Sequence, residues 1–204
     1  MFTQHYDDWR KSRLNTVINL LGIDFFRGKR VLEVGAGYGD LGYELSKLGA
    51  NVTFSEGRLE HLAVIKQRYP EFEARLDNCE EILDIPHYDI IVDFGLIYHL
   101  ENLKQHIINM CEHCDYLLLE GIVAHESDDP DYYRVKSEYG YDQSLTTKGT
   151  IASPKYIENI LTSCNMSFQR YDLASLNSSF HIYDWKIGDK ADVSHRRFWI
   201  AKKI

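Results

Sequence analysis

Four cysteines in 204 residues do not make the disulfide framework of a small secreted fold. Cys111 and Cys114 have C-x-x-C spacing with His113 between them, but they fall in a helical pattern without a second ligand pair. Buried thiols are therefore expected there, and no metal. The chain lacks any apolar run long enough to span a bilayer, and its first twenty residues are broken by Asp7, Asp8, Arg10, Lys11 and Arg13. A signal peptide needs an uninterrupted apolar stretch at that place, so a cytoplasmic protein with no membrane partner is expected. Positive charge is also short. A formal net charge of −8 argues against a broad nucleic-acid surface, which depends on clustered Lys and Arg. No internal repeat, low-complexity tract or linker divides the chain, and 44% hydrophobic composition suffices for one core. One domain over residues 1–204 is expected, with its oligomeric state left open.

What the chain does have is concentrated in residues 30–42, RVLEVGAGYGDLG. Val31, Leu32 and Val34 form a short apolar strand pattern. Gly35, Gly37 and Gly39 follow at alternate positions, and a helical pattern then runs to residue 48. Alternate glycines suit a turn whose backbone passes close to a ligand, because a Cβ would collide there and some positions need φ > 0. Gly37, Gly39 and Gly42 satisfy the G-x-G-x-x-G spacing of a dinucleotide site. The fuller pattern Glu33-x-Gly35-x-Gly37-x-Gly39 resembles the first motif of the class I S-adenosylmethionine-dependent methyltransferases. The resemblance implies that Glu33 faces the amino group of the methionine moiety and that Gly35, Gly37 and Gly39 pass under the ligand. A carboxylate beside the turn suits an ammonium and a sulfonium and repels a diphosphate. A purely structural glycine turn is the plain alternative.

Around this turn the chain reads as alternating helices and strands. Tyr6, Trp9, Leu14, Val17, Ile18 and Leu21 recur at helical spacing and suggest an N-terminal helical cap over residues 1–28. Tyr6 and Trp9 either close on a substrate or simply pack. A helix over 41–48 and a strand over 51–55 lead to Glu56, an acid placed to accept hydrogen bonds from ribose hydroxyls. A helix over 59–69 and a strand over 72–76 lead to Asp77 and Asn78. The resemblance assigns Asp77 to the adenine amino group, with Asn78 sharing the task; otherwise either caps a short segment over 79–83.

A strand over 88–94 precedes Gly95-Leu96-Ile97-Tyr98-His99-Leu100. This is similar to the turn of methyltransferases such as the tRNA wobble-uridine carboxymethyltransferase. Gly95 and Tyr98 are expected at the donor, and His99 is a candidate base. A helix over 103–114 and a strand over 116–123 follow, the latter with Glu120, a charge expected to be paired or to face a polar cleft and a second-tier site candidate. Residues 124–150 form the least regular region, rich in acids and tyrosines, and are read as a lid. Asp128, Asp129 and Asp131 there are taken as an exposed acidic loop in preference to a metal site. Ser153-Pro154 marks a helix start. Strands are expected over 167–172, 181–186 and 197–202, with His181, Tyr183 and Trp185 on one face. Arg196 and Arg197 are read as strand decoration before an anion site.

The expected fold is α/β and Rossmann-like: a mostly parallel seven-stranded sheet with an antiparallel last strand and helices on both faces. The implied cofactor is S-adenosyl-L-methionine and the implied reaction is methyl transfer to an oxygen or nitrogen of a small-molecule or sugar-like acceptor. Candidate bases are His99, His125 and His181. The alternatives are a nicotinamide-dependent oxidoreductase, which favours a sheet parallel through its last strand, a tRNA-modifying relative, and a donor-binding protein without catalysis.

Overall fold

The computed structural model describes residues 4–185 and 194–204, with side chains from Tyr6 onward. Among the described residues nine strands form: β1 Arg30–Val34, β2 Asn51–Glu56, β3 Glu73–Leu76, β4 Tyr88–Phe94, β5 Cys114–Ile122, β6 Tyr133–Ser137, β7 Lys148–Ala152, β8 Met166–Tyr171 and β9 Arg196–Lys203. The α-helices among these residues are α1 Gln4–Leu21, α2 Asp40–Lys47, α3 Leu59–Arg68, α4 Leu103–Glu112 and α5 Pro154–Ser163.

The central strands are apolar without alternation because both their faces are covered. In β5, Leu117 and Leu119 pack with Ile107, Met110, Ile157 and Leu161 of α4 and α5 on one face. Leu118 packs with Leu41, Leu45 and Ile65 of α2 and α3 on the other. Burying each such side chain is worth ~1.5–3 kcal/mol, so a sheet between two helical layers is the arrangement this pattern favours. The strand order is β3-β2-β1-β4-β5-β9-β8, and only β9 runs antiparallel to its neighbours. The seven-stranded sheet with its single reversed strand matches the expectation from sequence.

That reversal has a positional consequence. In register with β5, Ile122 faces Arg196, so the first residue of β9 lies at the carboxyl edge of the parallel strands. A parallel strand would have carried it to the opposite edge.

Several local expectations differ from the structure. Residues 124–150 hold more order than their composition suggests, because β6 and β7 pair as an antiparallel hairpin. The hairpin approaches the Tyr98 turn so closely that a Cβ on Gly149 would stand 2.3 Å from the Tyr98 carbonyl oxygen. Within 181–185 there is no strand, only a bridge between Asp184 and His195; Lys186 lies outside the described residues. Asn177 explains this, since its Oδ1 accepts from both the Tyr183 amide and Trp185 Nε1 and ties the segment into a loop. The short segment over 79–83 is a turn at 79–80 followed by a bend at 81. The start of α5 is as expected: Ser153 Oγ accepts from the Tyr156 amide and Pro154 takes the first turn. Cys111 and Cys114 are buried, and burial pushes both thiols up, Cys114 to about 12. No described helix is long and apolar enough to cross a membrane.

Candidate active site

A cleft of about 640 Å³ opens along the carboxyl edge of the sheet, where β1 to β5 end. Open α/β sheets bind ligands at this edge. One half of the cleft is built by backbone and carboxylates. Gly35, Gly37 and Gly39 have φ of +62°, +59° and +76°, so the turn after β1 uses a conformation that side-chain-bearing residues rarely adopt. Gly35 and Gly37 line the cleft, whereas Gly39 supplies the left-handed cap of α2.

Glu33 is buried beneath this turn, and its Oε2 accepts from the Gly42 amide at 2.9 Å. A Cβ on residue 42 would stand 2.6 Å from that oxygen and 2.6 Å from the Phe54 ring. Gly42 thus allows α2 to seat against Glu33, and its place in the G-x-G-x-x-G spacing comes from packing. Burial pushes the Glu33 carboxyl up to about 8, against the Gly42 hydrogen bond that pulls it down. Glu56 is held at the end of β2, its Oε2 accepting from the Gly37 amide at 2.7 Å and its Oε1 from the Arg58 amide at 2.8 Å. Asp77 lines the cleft and accepts from Arg75 Nε at 3.1 Å. Asn78 does not share that place: its Oδ1 accepts from the Glu80 amide and its Nδ2 donates to Glu81, so it closes a local turn.

These residues fit an adenosyl sulfonium ligand. Three acids, Glu33, Glu56 and Asp77, face a cradle of bare backbone. Arg10, the guanidinium beside that turn, is engaged by Asp7 and stands 3.5 Å from Asp40. A diphosphate would meet the Glu56 and Asp77 carboxylates in this half, where Arg58, the further cation of the lining, is held by the Gln143 carbonyl.

The other half is built by side chains from distant parts of the chain. His99, in a short 3-10 turn after β4, lines the cleft with its Nδ1 2.6 Å from Glu138 Oε2. An ionised carboxylate only accepts, so Nδ1 carries the proton and Nε2 keeps a free lone pair. Burial lowers the His99 pKa despite Glu138, which favours the neutral ring. Glu138 is 3% exposed and also receives Lys136 Nζ at 2.5 Å. Burial opposes its charge, but Lys136 and His99 outweigh that and hold its carboxyl below the usual range.

Beside this dyad, the buried Glu120 receives both Arg13 and Arg196, the latter at 2.5 Å, and Arg196 Nη2 donates to the Tyr98 hydroxyl at 2.7 Å. Arg196 thus lines the cleft and is no strand decoration. Arg197 is buried and donates to the carbonyls of Asp184 and Arg196.

Of the three histidines read as candidate bases, only His99 reaches the cleft. The His125 side chain is exposed and stacks on His195 at 4.4 Å. His181 stacks on Trp9 at 4.4 Å and 7°. Trp9 carries the Arg13 guanidinium 3.4 Å from its ring centre, and two groups that close must lie on opposite ring faces. Both faces of Trp9 are therefore taken, and it packs in preference to gripping a substrate. Arg13, Lys136 and Glu138 are cleft residues that sequence reasoning missed, whereas Glu120 was a second-tier site candidate, expected to be paired or to face a polar cleft, and it is paired. Its partners had no local signal. Among the described residues no His, Cys, Asp or Glu group of three or more is gathered to hold a metal.

Comparison with known proteins agrees with this geometry. Residues 6–166 match the family described as "Methyltransferase domain". The ubiquinone biosynthesis O-methyltransferase of Rickettsia typhi is 24% identical over 191 residues, covering 86% of this chain and 74% of that protein. An S-adenosylmethionine-dependent methyltransferase from Mesorhizobium loti superposes with a TM-score of 0.70 at 9% identity, covering 94% of this chain and 98% of the other. The Burkholderia thailandensis 1,6-didemethyltoxoflavin-N1-methyltransferase, solved with that acceptor and S-adenosylhomocysteine, gives 0.61 at 15% identity, with 98% and 82% covered. The chain therefore belongs to the methyltransferase-domain family, and its fold is that of the class I S-adenosylmethionine-dependent methyltransferases.

Proposed function

We propose that this methyltransferase takes its methyl group from S-adenosylmethionine and delivers it to an oxygen or nitrogen of a small-molecule acceptor, with His99 as the base. One observation carries the reading: an imidazole oriented by a carboxylate and a glycine cradle lined with acids share one cleft. Glu33 faces the ammonium, Glu56 the ribose and Asp77 the adenine in this assignment. When bound, the donor supplies an electrophilic methyl on a sulfonium that leaves as a neutral thioether. The protein's own contribution is alignment and exclusion of water, for which effective molarities are worth up to ~7–11 kcal/mol. His99 Nε2 accepts the proton of a hydroxyl or amine acceptor, and Glu138 stabilises the imidazolium that results. The β6–β7 hairpin serves as a lid, held across the cleft by Arg58 Nη2 donating to the Gln143 carbonyl at 2.7 Å and the Tyr141 hydroxyl donating to Glu60 at 3.0 Å.

The names of the Rickettsia and Burkholderia proteins point to small-molecule acceptors, in keeping with the cleft volume and the charge of −8. The reversed β9 speaks against the nicotinamide alternative, which favours a parallel last strand. A cytoplasmic location belongs to the same reading, since the four cysteines are free; recovery of the protein from secreted material would count against it.

Calorimetry with S-adenosylmethionine, S-adenosylhomocysteine and NADH on wild type and Glu56→Ala tests the donor. Binding of the sulfur compounds alone, weakened in the variant, is expected; unaltered affinity removes the ribose assignment. An acceptor-library screen that detects S-adenosylhomocysteine release tests the reaction. Turnover confined to RNA would overturn the small-molecule reading, and full activity in His99→Ala would remove the base.

A further inference from the structure

Glu120, Arg13 and Arg196 form a buried cluster with unequal charge. Two guanidiniums, 6% and 2% exposed, share one carboxylate that is fully buried, leaving one positive charge in excess. Nearby Lys136 does not count toward the excess, because Glu138 neutralises it. The Nε atoms of both Arg13 and Arg196 are buried without a hydrogen-bond partner. A guanidinium held out of water without its own anion is costly, and chains seldom keep one unless something completes it.

The cluster is also built toward a ligand. Both arginines line the cleft at the end of β4, where Gly95 leaves the room they need. A Cβ there would stand 3.2 Å from Arg13 Nη2 and 3.7 Å from the Tyr98 hydroxyl. Arg13 is clamped by the ring of Trp9, and the Arg196 guanidinium carbon stands 4.4 Å from the Tyr183 ring centre. Planar guanidiniums fixed in this way are preorganised for bidentate recognition of a carboxylate.

We propose that the Arg13–Arg196 pair receives a carboxylate of the methyl acceptor, so that the acceptors of this enzyme are small carboxylic acids. The inference rests on the methyltransferase reading above and names the substrate class for that site. A carboxylate has two sources here, since the donor's methionine moiety carries one as well. Geometry favours the acceptor. Arg10, one helical turn earlier and 3.5 Å from Asp40, is the guanidinium beside the glycine cradle, and it is Arg10 whose charge is felt at Glu33. Arg13 and Arg196 gather instead with Tyr98, which the sequence placed at the donor but which is hydrogen-bonded to Arg196 and lies next to His99.

The test uses the full chain saturated with S-adenosylhomocysteine and titrated calorimetrically with matched acids and amides: benzoate, 4-hydroxybenzoate and glycolate against their amides. At least one acid should outbind its amide by about tenfold. Arg13→Gln leaves Glu120 and Arg196 paired one to one, and it should abolish that preference while S-adenosylhomocysteine affinity stays within about threefold of wild type. If no acid outbinds its amide, including the case in which none binds, the inference is overturned. Loss of S-adenosylhomocysteine binding in Arg13→Gln, with no acid preference in wild type, identifies the donor's carboxylate as the occupant and overturns it too. Failure of wild type to bind S-adenosylhomocysteine at all sinks the donor reading beneath it. Should Arg13→Gln fail to fold, the wild-type comparison of acids with amides decides.

Discussion

The two halves of the cleft are made by different means. In the half proposed for the donor the parts are close in sequence and mostly backbone: Glu33 holds the Gly42 amide and Glu56 holds the Gly37 amide. In the half proposed for the acceptor Glu120 meets Arg13 from α1 and Arg196 from β9, while His99 meets Glu138 from the hairpin. The first half is a local conformation that needs particular residues to exist. The second is a meeting of side chains that only the completed sheet brings together. Changes in the acceptor half should therefore alter stability and turnover without altering donor affinity, whereas changes in the donor half should alter donor affinity.

The largest effect is expected at Glu120. Glu120→Ala leaves two buried guanidiniums without an anion and should cost about 3–5 kcal/mol in urea unfolding. A loss below about 1 kcal/mol would mean that water already reaches the cluster. Next comes the dyad. Glu138→Gln should lower kcat about tenfold or more, with S-adenosylhomocysteine affinity unchanged. Glu138 favours the imidazolium, so its loss should also move the acid limb of the kcat profile to lower pH. An unmoved limb would separate Glu138 from His99.

A smaller effect, opposite in kind, is expected at Glu33. Its folded pKa of about 8 lies above the ordinary 4.5, so the stability linked to its protonated form is complete below about pH 4.5 and is lost as pH rises through 8. Glu33→Gln should therefore raise the Tm relative to wild type at pH 9 but not at pH 4.5, while weakening donor binding. A variant that lost donor affinity with no pH-dependent gain would show that Glu33 is already ionised. The smallest effect is expected at His125. Its side chain is exposed and outside the cleft, so His125→Ala should change stability by no more than about 0.5 kcal/mol and leave kcat unchanged.

The same contrast explains what could be read in advance. The glycine turn, the two acids ahead of it and after β2, and the apolar central strands were legible, because a left-handed turn admits few residues and a doubly covered strand admits few polar ones. Asp77 also reaches the cleft, whereas Asn78 went to the turn it was equally able to cap. His181 and His125 share a residue type with His99 and nothing else; a ring's chemistry is set by what surrounds it, and here Trp9 and His195 do so. The hairpin was hidden because β6 is short and largely exposed, and Tyr133 and Val135, the apolar positions of its alternation, are left in solvent.

By itself the chain of amino acids determined the βα order, the cradle after β1 and the acid-lined donor half, since each follows from short-range steric rules and burial over a few residues. Tertiary structure alone decided which histidine faces the cleft, which carboxylate steadies it, and that Arg13 and Arg196 share a single anion. Those depend on β9 running against its neighbours and on α1 and the hairpin folding over one sheet edge. Contacts between residues far apart in the chain leave no pattern in any one segment.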